Sequence, residues 1–128
     1  MSISIVRLGS KRLKGEGVRI GSVRRPPRGV PKSEFATRDY YDTWLPQLAP
    51  SEALVKRALS SETTREWAGF VKAYRREMSA TEPSRLLDLL AALSHDSSFS
   101  LGCYCEDEAR CHRSVLRALL LERGARVK

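Results

Sequence analysis

The stretch from Ser98 to Arg123 constrains the fold of this chain more than any other. Phe99, Leu101, Cys103 and Cys105 alternate with Ser98, Ser100, Gly102 and Tyr104, which is the period of a strand with one buried face. A polar loop, Glu106-Asp107-Glu108-Ala109-Arg110, comes next. Cys111-His112-Arg113-Ser114 then opens a run in which Val115, Leu116, Leu119 and Leu120 recur at helical spacing, with Gly124 as its stop. Strand, short loop and helix in this order make half of a βαβ unit. Ligands of such sheets gather outside the carboxyl ends of the strands, where loops and a helix N-terminus converge. All three cysteines and one of the two histidines fall in or beside this loop.

The rest of the chain supplies partners for that unit. Ser2–Leu8 reads as a first strand, residues 9–17 as a basic, glycine-punctuated loop, and Val18–Val23 as a second strand. Pro26, Pro27 and Pro31 exclude regular structure from the segment that follows. Phe35, Tyr40, Tyr41 and Trp44 form an aromatic cluster suited to plugging the edge of a core. Ser51 is placed to cap a short amphipathic helix carrying Leu54, Val55 and Leu59. Between Ser61 and Met78 the spacing of Trp67, Phe70, Val71, Tyr74 and Met78 predicts a longer helix, its aromatic stripe turned to the core. Leu86, Leu87, Leu90 and Leu93 predict another that starts near Pro83. Strands interleaved with helices on this scale predict a single α/β domain over residues 1–128. Its small, mainly parallel sheet is covered by helices in a Rossmann-like arrangement of two or three layers, with the strand at 98–104 central.

The 128 residues contain no apolar run near the roughly 18 to 20 residues that a membrane span needs. Charge interrupts the first residues too soon for a secretory signal, so the expected location is cytoplasmic. Three cysteines cannot all pair within one chain, which favours reduced thiols. The net charge of +8 is uneven: Arg7, Lys11, Arg12, Lys14, Arg19, Arg24, Arg25, Arg28 and Lys32 stand against the single acid Glu16. Such a run points to a small anionic ligand or to nucleic acid as partner, with no membrane partner and no cofactor expected.

Several motifs occur in order along nearly the whole chain: Gly17-Val-Arg19-Ile, Arg25-Pro-Pro-Arg28-Gly29-Val, Trp44-Leu-x-x-Leu-Ala-Pro50-Ser51, Trp67-x-x-Phe70-x-x-x-Tyr74-x-x-Glu77, and Cys103 followed by Cys111-His112-Arg113-Ser114. Through them the chain resembles the domain of unknown function 488 family. That family commonly carries an aspartate after its second strand and a Trp-Pro-Arg-Gly segment. Here the corresponding stretch is Ser22-Val-Arg-Arg-Pro-Pro-Arg28-Gly29. The resemblance implies a compact α/β fold and a shared pocket, and no particular reaction.

Several chemistries compete for the Cys-His-Arg loop. Arg113 and Ser114, with the unpaired N–H groups that open the last helix, could hold a phosphate or carboxylate together with Arg19, Arg25 and Arg28. Cys111, at a helix start beside His112 and Arg113, could be a nucleophile with His112 as its acid or base. Cys105-x4-Arg110 has the length of a rhodanese-like anion loop, but Glu106, Asp107 and Glu108 would fill its interior with repelling carboxylates. Cys103, Cys105, Cys111 and His112 offer four metal ligands, yet Cys-x-Cys on an extended strand wraps less naturally around one ion than Cys-x2-Cys in a turn, and no metal is expected. Cys103 and Cys105 could equally be small core hydrophobes. The leading expectation is a pocket between the Arg-Pro-Pro-Arg segment and the Cys-His-Arg loop that binds a small anionic or phosphate-bearing ligand. A nucleic-acid module built on the basic run, or a thiol-dependent enzyme using Cys111, are the alternatives.

Overall fold

A computed structural model describes residues 1–128. Its four strands are β1 (Ile3–Arg7), β2 (Val18–Gly21), β3 (Thr43–Trp44) and β4 (Phe99–Cys103). They pair in the order β1-β4-β2-β3, every pairing parallel. Parallel neighbours require crossovers. Helices α1 (Glu52–Ser60), α2 (Thr64–Met78) and α3 (Thr81–Leu93) lie between β3 and β4, and α4 (His112–Glu122) follows β4. The small parallel α/β sheet with a central C-terminal strand agrees with the sequence reading. β3 escaped it because two residues are too few to show a period.

The two faces of the sheet are covered by different material. Ile3, Ile20, Phe99 and Leu101 join Leu54, Phe70, Tyr74, Leu87, Leu90, Leu116 and Leu120 in one core, so the helices share a single face. Alternate positions on the other face are small or polar at Ser4, Arg19, Gly21, Ser100 and Gly102, with Val6 the apolar exception. A Cβ on Gly21 would stand 2.4 Å from the Tyr41 ring, and one on Gly102 equally close to Leu8. Loops therefore lie directly against the backbone where a second helical layer would need larger side chains. All five residues of β4 are buried, whereas alternation predicted one buried face. The 9–17 loop and the segment around Tyr41 cover the second face.

Local signals set the helix starts. Ser51 Oγ accepts from Leu54 N at α1, and Thr63 Oγ1 accepts from Glu66 N, so α2 begins at Thr64 and not at Ser61. Phe70, Tyr74 and Met78 are buried, as their spacing predicts. Two apolar stripes are narrower than expected: Leu93 is 40% exposed in α3 and Leu59 is 79% exposed in α1. No helix is long and apolar enough to cross a membrane.

Candidate functional site

A cavity of about 460 Å³ opens at the carboxyl ends of β2 and β4. That volume lies within the range of small-molecule pockets, roughly 300 to 1,000 Å³. Val23, Arg24 and Arg25 line one side, Cys103, Tyr104, Cys105, Arg110, Cys111 and His112 the other. A third wall comes from α1 through Val55, Lys56 and Leu59, with Phe70 of α2 beside it.

Cys111 is the N-cap of α4, and its side chain makes no capping bond. Ser114 Oγ donates to the Cys111 carbonyl instead, so Sγ is left to other partners. It lies 3.8 Å from His112 Nδ1 and receives Arg113 Nε–H at 3.4 Å. His112 Nε2 stands 2.7 Å from the Ser22 carbonyl. A carbonyl only accepts, so Nε2 carries the proton and Nδ1 is the nitrogen turned to sulfur. Tyr74 packs edge-on against the imidazole, with ring centroids 5.7 Å apart, and its own hydroxyl is anchored on the Leu48 carbonyl. The ring orientation is thus set from two sides.

The other thiols belong to the same cluster. Cys103 Sγ donates to Cys105 Sγ at 3.9 Å, so the two sulfurs of the Cys-x-Cys pair lie together. Cys103, Cys111 and His112 place their ligand atoms within 4.8 Å of one another, all three residues buried. Thiol donation from Cys103 and then Cys105, aided by His112, holds Cys111 well below the ordinary thiol range despite its burial. Cys103 is pushed well above that range by its bonding to Cys105 and Cys111 and by desolvation. The cluster therefore concentrates negative charge on one sulfur of three.

The carboxylates of the intervening loop stay out of the cavity. Glu106 pairs with Arg7, Asp107 caps the Ala109 N–H, and Glu108 pairs with Arg117. Repulsion of a thiolate or an anion by this loop, expected from its composition, is thereby removed.

Several arginines assigned to ligand binding are employed elsewhere. Arg19 is fully buried on the opposite face of the sheet, where Nε and Nη2 donate to Glu16 and Nη1 donates to the Ser10 and Asp39 carbonyls. Arg113 is also buried, with Nη2 on the Cys105 carbonyl at 2.6 Å, so it braces the thiol loop and does not reach into the cavity. Arg28 is exposed and, like Ser114, absent from the cavity wall. Arg25 does line it, paired with Glu52 at the rim. The basic run is further consumed where Arg12 pairs with Asp42 and Asp39.

Sequence reasoning missed the α1 wall and Tyr104, and set Arg110 aside with the carboxylate-filled loop. Leu59 was the available signal, an apolar residue left facing solvent on a helix with a single buried residue, Leu54. Arg110 stands 5.6 Å from the Trp67 ring centroid, a cation–π distance that holds it at the rim.

A family model described as the active DUF488-N3 subclade matches residues 3–124. The chain belongs to the DUF488 family. No curated protein and no solved structure matches it. The matched span of this DUF488 chain takes in every strand, every helix and the whole cavity wall.

Proposed function

We propose that this protein is a thiol-dependent enzyme in which Cys111 is the nucleophile and His112 its acid–base partner, acting on a small substrate that carries a negative group. One observation carries the reading: a thiol at the cavity wall faces a ring nitrogen whose opposite nitrogen is held by a backbone carbonyl. Nucleophile, base and orienting group stand in the sequence that activated thiols require. Membership of a subclade described as active accords with chemistry at this site.

In the reaction the Cys111 thiolate attacks an electrophilic carbon, the proton it has shed to His112 Nδ1 passes to the departing group, and a water deprotonated by the same nitrogen then cleaves the carbon–sulfur bond and regenerates the thiolate. Arg113 Nε–H and the positive end of α4 stabilise the sulfur anion before attack. Arg25, Lys56 and Arg110 at the wall supply the attraction for the substrate anion that was first assigned to Arg28 and Arg113. The ligand's apolar part has Val55, Leu59 and Phe70 to lie against.

Timed alkylation of the reduced, chelator-treated protein at neutral pH tests this. Iodoacetamide should label Cys111 before Cys103 and Cys105, as read by peptide mass mapping. His112→Ala should slow that labelling by on the order of tenfold or more. Equal labelling of the three thiols, or a rate indifferent to His112, removes the reading.

A further inference from the structure

The strongest cluster of metal-ligating side chains in the molecule is the same group of thiols, considered as a whole. Ligand atoms of Cys103, Cys111 and His112 lie within 4.8 Å of one another, and Cys105 Sγ is 3.9 Å from Cys103 Sγ. A tetrahedral ion with bonds of about 2.3 Å to sulfur and about 2.0 Å to nitrogen sets its ligands about 3.5 to 3.8 Å apart. The Cys111–His112 separation of 3.8 Å is an edge of that size. Bringing ligand atoms that lie within 4.8 Å of one another to that spacing takes movements of up to about one ångström.

The surroundings are those of a metal site too. A ligating histidine ordinarily donates its second ring N–H to a carbonyl or carboxylate, which fixes the tautomer and the ring direction. His112 Nε2–H is held by Ser22 O at 2.7 Å, leaving Nδ1 toward the sulfurs. Arg113 Nε–H lies on Cys111 Sγ, where it would temper the charge of a bound thiolate. Two thiolates and a neutral imidazole balance a divalent cation. The one carboxylate that lines the cavity, Glu52, is paired with Arg25, so a hard cation such as Mg²⁺ or Ca²⁺ would find no cluster of carboxylates beside these sulfurs.

We propose that Cys103, Cys111 and His112 form a site for a thiophilic d10 cation of the zinc class, with the fourth position turned to the cavity beside Cys105. The ion and an electrophilic substrate would compete for the Cys111 sulfur, so occupancy would silence the nucleophile. The inference does not rest on the catalytic reading, because it needs Cys103, which that reading does not use as a reacting group.

Titrating the phosphine-reduced, chelator-stripped protein with Cd²⁺ tests it through thiolate-to-cadmium charge-transfer absorption, followed by Zn²⁺ competition against a chromophoric chelator. Saturation at a single equivalent is expected, with zinc displacing cadmium. Cys103→Ser should weaken binding by about a hundredfold or more, since loss of even outer-shell partners costs about tenfold to a hundredfold. X-ray absorption of the zinc-loaded wild type, which needs no variant to fold, should show sulfur and nitrogen in the first shell. A first shell of oxygen and nitrogen alone, absence of the charge-transfer band, or a Cys103→Ser affinity equal to wild type each overturns the site. Alkylation of metal-free protein reports the nucleophile alone and metal titration the ion alone, so either proposal can fail by itself.

Discussion

The two ends of the sheet solve opposite problems with similar residues. Before β2, Glu16 and Arg19 form a buried ion pair at 2.8 Å, and Ser100 of β4 donates to the same carboxylate at 2.6 Å. The remaining Arg19 donors go to the Ser10 and Asp39 carbonyls, and the Arg19 N–H to Asp42. Every guanidinium nitrogen thus has a partner within the fold. Beyond β4 the buried Arg113 also bonds to a carbonyl, but its other partner is a thiol at a cavity wall, beside two more thiols and an imidazole. A saturated cluster fixes the fold, whereas a cluster with spare capacity beside a cavity can do chemistry. Burial alone does not distinguish the two arginines; the partners of each do.

Removing Glu16 should give the largest effect on this contrast. Glu16→Gln strands the Arg19 guanidinium in a dry site, at a cost of about 3 to 5 kcal/mol in unfolding free energy. Urea denaturation at neutral pH reads it directly. Arg19 and Ser100 hold the Glu16 carboxyl at about 2, against 4.5 unperturbed, although desolvation alone would raise it. The folded value is the lower one, so the contribution is fully present above about pH 4.5 and is lost as pH falls through 2. Its size is roughly 3 kcal/mol. The wild type should therefore lose stability more steeply in acid than Glu16→Gln does, and parallel acid limbs would show that the pair is not coupled to folding.

Much of this was legible in the chain and some could not be. Alternation from Phe99 to Cys105 followed by a helical run identifies the central strand and the site loop, because period is a property of neighbouring residues. The employment of the arginines is not local. Arg19 meets Glu16 three residues away, yet the pair is completed by Ser10, Asp39 and Asp42 from two loops and by Ser100 from a strand far along the chain. Arg12 finds Asp42 across a loop. Counting charge along residues 7–32 therefore overstated what is available to a ligand. The α1 wall likewise depends on which helix lands beside the strand end.

An intermediate effect is expected at Arg113. Arg113→Leu leaves the Cys105 carbonyl without its N–H and the Cys111 sulfur without its donor, at about 1 to 3 kcal/mol for the unpaired buried acceptor. Alkylation of Cys111 should slow in the same variant, because the brace on the loop and the donor on the sulfur go together. Lost stability with unchanged alkylation would place Arg113 with Arg19, as a purely structural cation, and the contrast between the two ends would narrow.

The finest distinction concerns Arg25 and Arg28, two exposed arginines of one Arg-Pro-Pro-Arg segment, of which Arg25 alone lines the cavity. Iodoacetate and iodoacetamide attack the same sulfur and differ in one negative charge, so the ratio of their rates on Cys111 measures the field at the wall. Arg25→Ala should lower that ratio about 1.4-fold to fivefold at low salt, the scale of an exposed charge of about 0.2 to 1 kcal/mol. The pairing of Arg25 with Glu52 keeps the effect toward the smaller figure. Added salt should shrink it, since the Debye length falls from about 30 Å at 0.01 M to about 8 Å at 0.15 M. Arg28→Ala should leave both rates and the melting temperature unchanged. An equal response to the two substitutions would mean that the anion is drawn by the net charge of the surface and not by the residues at the cavity, and the basic segment would then deserve the broader role its composition suggested.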